Sequence, residues 1–233
     1  MSDQPVLAEQ AAPQPRRPGT GLRRFRLGEE QFFLLAAIFI GILSGLAVVC
    51  FRIAYESTRW YLLGSALLPS KARIVLIPGL AGLVIAILLV HFFPTTRGSG
   101  VNQTKAALYI YNGVISFRTV IGKFIGSALA IGSGQSLGPE DPSLQIGAGI
   151  ASALGRKLGL SREKMRLMAP VGAAAGLAAA FNAPISAVLF VIEEVIGRWT
   201  AGVLGAVVLS AVGVMNLPAR FFTSANGSLF CRA

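Results

Sequence analysis

The chain has 233 residues, 54% of them hydrophobic and 13% charged, and carries 21 Lys and Arg against 10 Asp and Glu, a formal net charge of +11. Soluble domains usually carry about 25% charged residues, so this deficit, with a mean hydropathy of +0.66, points to a bilayer rather than water. Basic excess on such a chain means cytoplasmic loops and lipid contact, and it does not by itself argue for an acidic substrate.

Residues 1–30 open with "MSDQPVLAEQAAPQP", expected to be disordered, and continue as "PRRPGTGLRRFRLGEE". Arg16, Arg17, Arg23, Arg24 and Arg26 stand directly before the first apolar segment and favour a cytoplasmic N-terminus. A nucleic-acid-binding arm is the rival reading, disfavoured because the next residues enter a membrane, so no nucleic-acid partner is expected.

Gln31 to Phe51 carries no charge over enough length to cross a hydrocarbon core about 30 Å thick. No small-residue cleavage site follows it, only "FRIAYESTRW", so it is a retained span rather than a signal peptide. Ile74 to Phe93 is a second span, with His91 near its end. Weaker apolar segments follow at Val120 to Ile131, Leu144 to Leu154, Met168 to Val191 and Trp199 to Met215, the shorter of them read as partial or tilted helices. The fold class is therefore an all-α polytopic membrane protein, with residues 31–217 as its transmembrane domain.

Cys50 and Cys231 are too few for a disulfide framework or a zinc site, and His91 has no histidine at metal spacing. No HExxH, GxSxG or Walker A pattern is present, and "GSGQSLG" has the wrong spacing for a dinucleotide loop with no strand before it. No enzyme, catalytic residue, metal or cofactor is expected.

Acids are the informative residues. After Glu56 they are Glu140, Asp141, Glu163, Glu193 and Glu194. An ionisable group at membrane depth costs at least ~2.5 kcal/mol, which makes each a functional candidate. An apolar protein can hold an anion without a full cation, because a helix N-terminus exposes unpaired N–H groups and about half a positive charge. In membranes such sites form where buried helices break.

Two stretches have the glycine-broken form this requires. In "TTRGSGVNQTKAALYIY", Gly98 and Gly100 bracket Ser99 before a helical pattern that begins near Asn102. Ser99 either offers its hydroxyl to an anion or merely caps the helix. In "GSGQSLGPEDPSLQIG", glycines and Pro139 break the chain before Glu140, and Pro142 suits a first helical turn. Glu140 either takes the place of a permeating anion, leaving by protonation or by swinging aside, or stabilises a helix start with Asp141 as cap. If the anion reading holds, Ser99 and Glu140 open onto a shared cavity.

The order "GSG", then "LGPEDPSLQIG", then "GAAAGLAAAFNAPISAVLFVIEEV" resembles the CLC family of chloride channels and proton-coupled chloride antiporters, from about Gln31 to Met215. The resemblance implies the first of two inverted halves. It places Ser99, with Gly98 and Gly100, on the serine loop that contacts the central anion, where Val101 and Asn102 replace the family's Ile-Pro. It places Glu140 on the gating glutamate and Gly138 at the start of that motif. There Pro139 stands for an arginine, and Asp141, in place of a glycine, is a possible modifier that would repel anions. It places Glu194 on the inner proton relay. Chloride and protons are then the transported ions, lipid the surroundings, and a homodimer the expected assembly, in an integral membrane location expected to be a bacterial inner membrane.

Consecutive residues on an α-helix stand about 100° apart, so Glu193 and Glu194 should not face one side. One is expected to face protein or water at a span end, with the other paired to Arg198. A plain interfacial charge cluster stays open beside the relay reading. Lys123 interrupts its apolar segment and should face protein or an aqueous vestibule, or snorkel. "GILSG", "GKFIG" and "GAAAG" are small-xxx-small patterns that suit close helix approach.

Residues 218–233 read as a non-family tail. The GxFxP motif and pore tyrosine of the family's second half do not occur in the sequence, so a fragment is expected. Two functions stay in play: chloride transport, as a proton-coupled antiporter (favoured) or a voltage-gated channel, and an inactive or regulatory membrane half-protein.

Overall fold

A computed structural model of the chain describes residues 29–64, 71–197 and 201–215. Among the described residues all regular structure is helical, in agreement with the all-α expectation. The α-helices are α1 (Glu29–Leu63), α2 (Lys71–His91), α3 (Gly100–Tyr109), α4 (Phe117–Gly132), α5 (Glu140–Lys157), α6 (Arg162–Phe181), α7 (Pro184–Phe190) and α8 (Ala201–Met215). A 3-10 turn, Pro94–Thr96, precedes α3, and a π-helical segment, Val191–Ile196, follows α7. The N-terminal arginines, Arg198 and the tail 218–233 lie outside the described residues.

α1 runs on past the expected end at Phe51 to a total of 35 residues. Its first charged residues after Phe51 neutralise each other, Arg52 Nε meeting Glu56 at 2.8 Å one turn on, so charge does not end the helix. A helix of this length is about 52 Å long, more than a hydrocarbon core, so it tilts or projects from it. α2 is apolar on every side. Val75 is 74% exposed and Leu80 62%, an outer surface that suits lipid chains far better than water.

The core gathers on α6, which packs against α1, α5 and α8. Ala173, Ala174 and Ala175 are fully buried there. Gly147 of α5 faces Gly172 and Gly176 of α6 backbone to backbone, with no room for a Cβ on any of them. Gly41 of α1 meets the Ser210 backbone of α8 and Gly45 the Val214 side chain, again with no room for a Cβ. GILSG and GAAAG are thus close helix crossings, whereas in GKFIG Gly122 meets Phe93 and Thr96 and Gly126 makes only ordinary contact with α2.

The apolar run from Met168 to Val191 is not one helix. α6 ends where Asn182 turns left-handed, at φ 53°, and α7 starts at Pro184. Proline has no N–H to continue the ladder and pushes the residue before it, Ala183 at φ −135° and ψ 78°, out of the helical region.

Candidate functional site

Two helix starts meet at the site, those of α3 and α5. The approach to α3 is held by side chains of the helices around it. Gln103 Nε2 donates to the Thr95 carbonyl at 3.2 Å and to the Arg97 carbonyl at 2.7 Å. Gln145, fully buried on α5, donates in turn to Gln103 Oε1. Gly98 has φ +95°, a left-handed conformation that glycine adopts without strain. Its carbonyl accepts from Lys123 Nζ at 3.0 Å. Gly100 is buried where α3 touches α5, and a Cβ there would come within 2.7 Å of the Asp141 carbonyl and 2.8 Å of Gln145.

Ser99 is the N-cap residue of α3 by backbone conformation, but its side chain makes no capping bond. Its hydroxyl donates to Asp141 Oδ1 at 2.9 Å instead. The same oxygen accepts from the N–H of Gly100 at 2.7 Å and of Val101 at 3.2 Å. The other carboxylate oxygen, Oδ2, lies 2.8 Å from Lys123 Nζ. Asp141 therefore caps α3, not its own helix. α5 starts after Pro139 with no side-chain cap.

This corrects the expectation that Ser99 and Glu140 share a cavity. Ser99 and Gly98 line a cavity of about 620 Å³ together with Thr95, Arg97, Asn102, Gln103 and Thr119 among others. Glu140 lines a different one, of about 400 Å³, with Leu177, Phe181, Ala183, Ser186, Ala187 and Phe190. The second cavity lies at the α6–α7 break. The Glu140 carboxylate folds against Gly138, where a Cβ would collide with it. Neighbouring residues in the first turn of α5 point their carboxylates in different directions, and α3 packs on the side of Asp141.

Glu194 pairs with Lys105 Nζ at 2.7 Å, the two side chains 47% and 37% exposed. Glu193 and Glu194 are both exposed, between buried Val191 and Ile192 on one side and Val195 and Ile196 on the other. Both acids lie in a π-helical turn, with its i→i+5 bonding. Lys105 belongs to α3, so a single short helix joins the Ser99 end to the Glu194 pair.

Reading the sequence alone did not assign Lys123 to the site. The signal was there: one lysine in a 16-residue apolar helix, and it is 8% exposed. A buried cation needs a partner nearby, and Asp141 provides it. Gln103 and Gln145 gave no comparable signal, since glutamines in a helical pattern read as surface. Among the described residues no three of His, Cys, Asp and Glu come together as a metal site would require.

What the arrangement does chemically is hold a negative charge with one hydroxyl, two backbone N–H groups and one ammonium. The family model described as "Voltage gated chloride channel" matches residues 81–227, which runs past the boundary at 217. The chain is 34% identical over 201 residues to "Putative chloride channel protein ClcB-like" of Ralstonia nicotianae, covering 81% of this chain and 47% of that protein. It is 34% identical over 190 residues to "H(+)/Cl(-) exchange transporter ClcA" of Vibrio campbellii, covering 77% of this chain and 40% of that protein. Among solved structures, one described as a slow cyanobacterial Cl-/H+ antiporter superposes with a TM-score of 0.66 at 28% identity, covering 79% of this chain and 45% of the other. The chain spans less than half the length of these relatives.

Proposed function

Because the chain belongs to the voltage gated chloride channel family, whose relatives are integral membrane proteins, we propose that it forms the first half of a proton-coupled chloride antiporter. Ser99, with the glycine loop and the start of α3, is the anion seat. Glu140 is the gating acid at the start of α5. Glu194 takes protons at the far end of α3. The single observation that carries this reading is the ring of donors around Asp141, which already binds an anionic group through Ser99 and the backbone of α3.

The separate cavities count against Glu140 competing for the Ser99 seat, which therefore rests on its own donors. One acid does not guard one seat. Instead two helix starts each have a carboxylate, Asp141 at α3 and Glu140 at α5, and an anion would pass both. Helix N-terminal dipoles supply the attraction at each, and Arg97 adds a cation on the wall of the Ser99 cavity. Proton coupling, rather than a channel, is supported by the exchange transporters among the relatives and by the exposure of Glu194. A homodimer with its N-terminus in the cytoplasm fits the same reading.

The experiment is chloride release from liposomes containing the protein, with external pH recorded at the same time. Coupled transport gives chloride and proton movement in opposite directions. In Glu140→Gln chloride should still flow while proton movement is lost. Chloride flow with no proton movement in the unsubstituted protein would replace the antiporter by a channel. No chloride flow would remove the transport reading.

A further inference from the structure

We infer that one end of the bundle, where the turn between α5 and α6 meets the loop before α4, is a docking surface for anionic phospholipid headgroups. Residues 156–166 carry five basic side chains, Arg156, Lys157, Arg162, Lys164 and Arg166, against the single acid Glu163. Arg118, in the first turn of α4, adds a sixth. Like charges gathered on one surface repel one another, so a bound anion relieves a cost that the bare surface carries.

Two of the arginines hold this surface together. Arg156 Nη1 donates to the Ile115 carbonyl at 3.0 Å and to Ser152 Oγ at 2.9 Å. Arg166 Nε donates to the Leu108 carbonyl at 3.1 Å. Gly113 lies against the Met165 carbonyl with no room for a Cβ. The ends of α3 and α5 are thereby tied to the starts of α4 and α6. Arg118, Lys157 and Arg162 are exposed and, among the described residues, form neither a hydrogen bond nor an ion pair. Three cations are left without an anion of the protein's own.

The apolar surface around the cations selects lipid over a soluble anion. On the loop Ile110 is 68% exposed and Phe117 at the start of α4 is 54% exposed, and Leu158 is exposed on the α5–α6 turn. Lys164 Nζ lies 5.9 Å from the centre of the Phe33 ring near the start of α1, where Phe32 and Leu35 face outward. Cations bordered by exposed aromatic and aliphatic side chains match a bilayer interface, where phosphates stand directly above acyl chains. A soluble phosphate would meet the cations and leave the apolar border bare. Each Lys or Arg near an anionic membrane surface contributes about a fivefold factor to binding. Losing Arg118, Lys157 and Arg162 together should therefore weaken it at least about tenfold, even with partial screening by salt.

The test is calorimetric titration of dioctanoyl phosphatidylglycerol into the detergent-solubilised chain, with dioctanoyl phosphatidylcholine and glycerol phosphate as comparisons. Phosphatidylglycerol should bind at least about tenfold tighter than either. The combined variant Arg118→Gln, Lys157→Gln, Arg162→Gln should lose that preference, while Arg59→Gln, toward the other end of α1, should keep it. Equal affinity for the two lipids would reduce the surface to an apolar one and overturn the inference. Glycerol phosphate binding as tightly as phosphatidylglycerol would make it a site for soluble anions and overturn it too, as would full binding by the triple variant. If that variant lacks helical circular dichroism, Glu163→Gln decides: removing the one acid should tighten phosphatidylglycerol binding, and unchanged affinity overturns the inference. None of these measurements reads chloride or proton movement, so a negative result leaves the transport reading standing.

Discussion

Asp141 caps a helix it does not belong to, accepting the Ser99 hydroxyl at 2.9 Å across 42 residues of sequence. The N-terminal amides of α3 have no carbonyl partners within their own helix, and a carboxylate is the strongest acceptor for them. Ser99 stands in the N-cap position yet leaves the capping to Asp141. The contact fixes α3, α4 and α5 against one another at a single carboxylate, through Gly100, Lys123 and Asp141 itself.

Removing the ammonium should weaken the fold through Asp141. Lys123→Met is expected to lower stability by about 1.5–3 kcal/mol, the range for a hydrogen bond to a charged group. The readout is the denaturant midpoint in detergent. Because the two residues act as a pair, Lys123→Met with Asp141→Asn should cost less than the sum of the single changes. Strict additivity would show that the pair is not coupled.

The contact between α3 and α5 depends on a missing side chain. Gly100→Ala places a Cβ within 2.8 Å of backbone and of Gln145, and should cost about 1–3 kcal/mol by overpacking. Gly79→Ala on α2 meets nothing within 4 Å and should be neutral or stabilise by roughly 0.5–1 kcal/mol, as alanine favours helix. Equal shifts in melting temperature for the two variants would contradict the close approach.

The break between α6 and α7 rests on a left-handed residue. Asn182→Val should destabilise by about 1–2 kcal/mol, because a β-branched side chain clashes at φ 53°. Asn182→Gly should be tolerated. If valine is accepted as readily as glycine, the chain does not turn here as described.

The Lys105–Glu194 pair predicts a separation of fold from function. Both side chains are more than a third exposed, so Glu194→Gln should change stability by no more than about 0.5–1 kcal/mol. Proton movement in the liposome assay should nonetheless disappear while chloride flow continues. A large loss of stability with proton movement intact would make Glu194 structural.

Much of this was legible from composition and local chemistry. The bilayer setting, the helical class and both glycine-broken stretches followed from apolar runs, Gly and Pro, whose effects act within a few residues. The Asn182–Pro184 break was also legible but passed over, since a long apolar run hides one proline. Other features had no local signature. The π-helical turn that carries Glu193 and Glu194 is one. The buried pair of Lys123 and Asp141 is another, because its partners lie on different helices.

The sequence by itself determined that carboxylates stand beside a broken helix in a membrane protein, since charge, glycine and proline dictate that wherever the chain goes. Which acid meets Ser99 was decided only by the tertiary structure. Adjacent residues in the first turn of α5 project about 100° apart. The close seating of α3 at Gly100 brings Asp141 to the Ser99 donors, while Glu140 lines the cavity at the α6–α7 break.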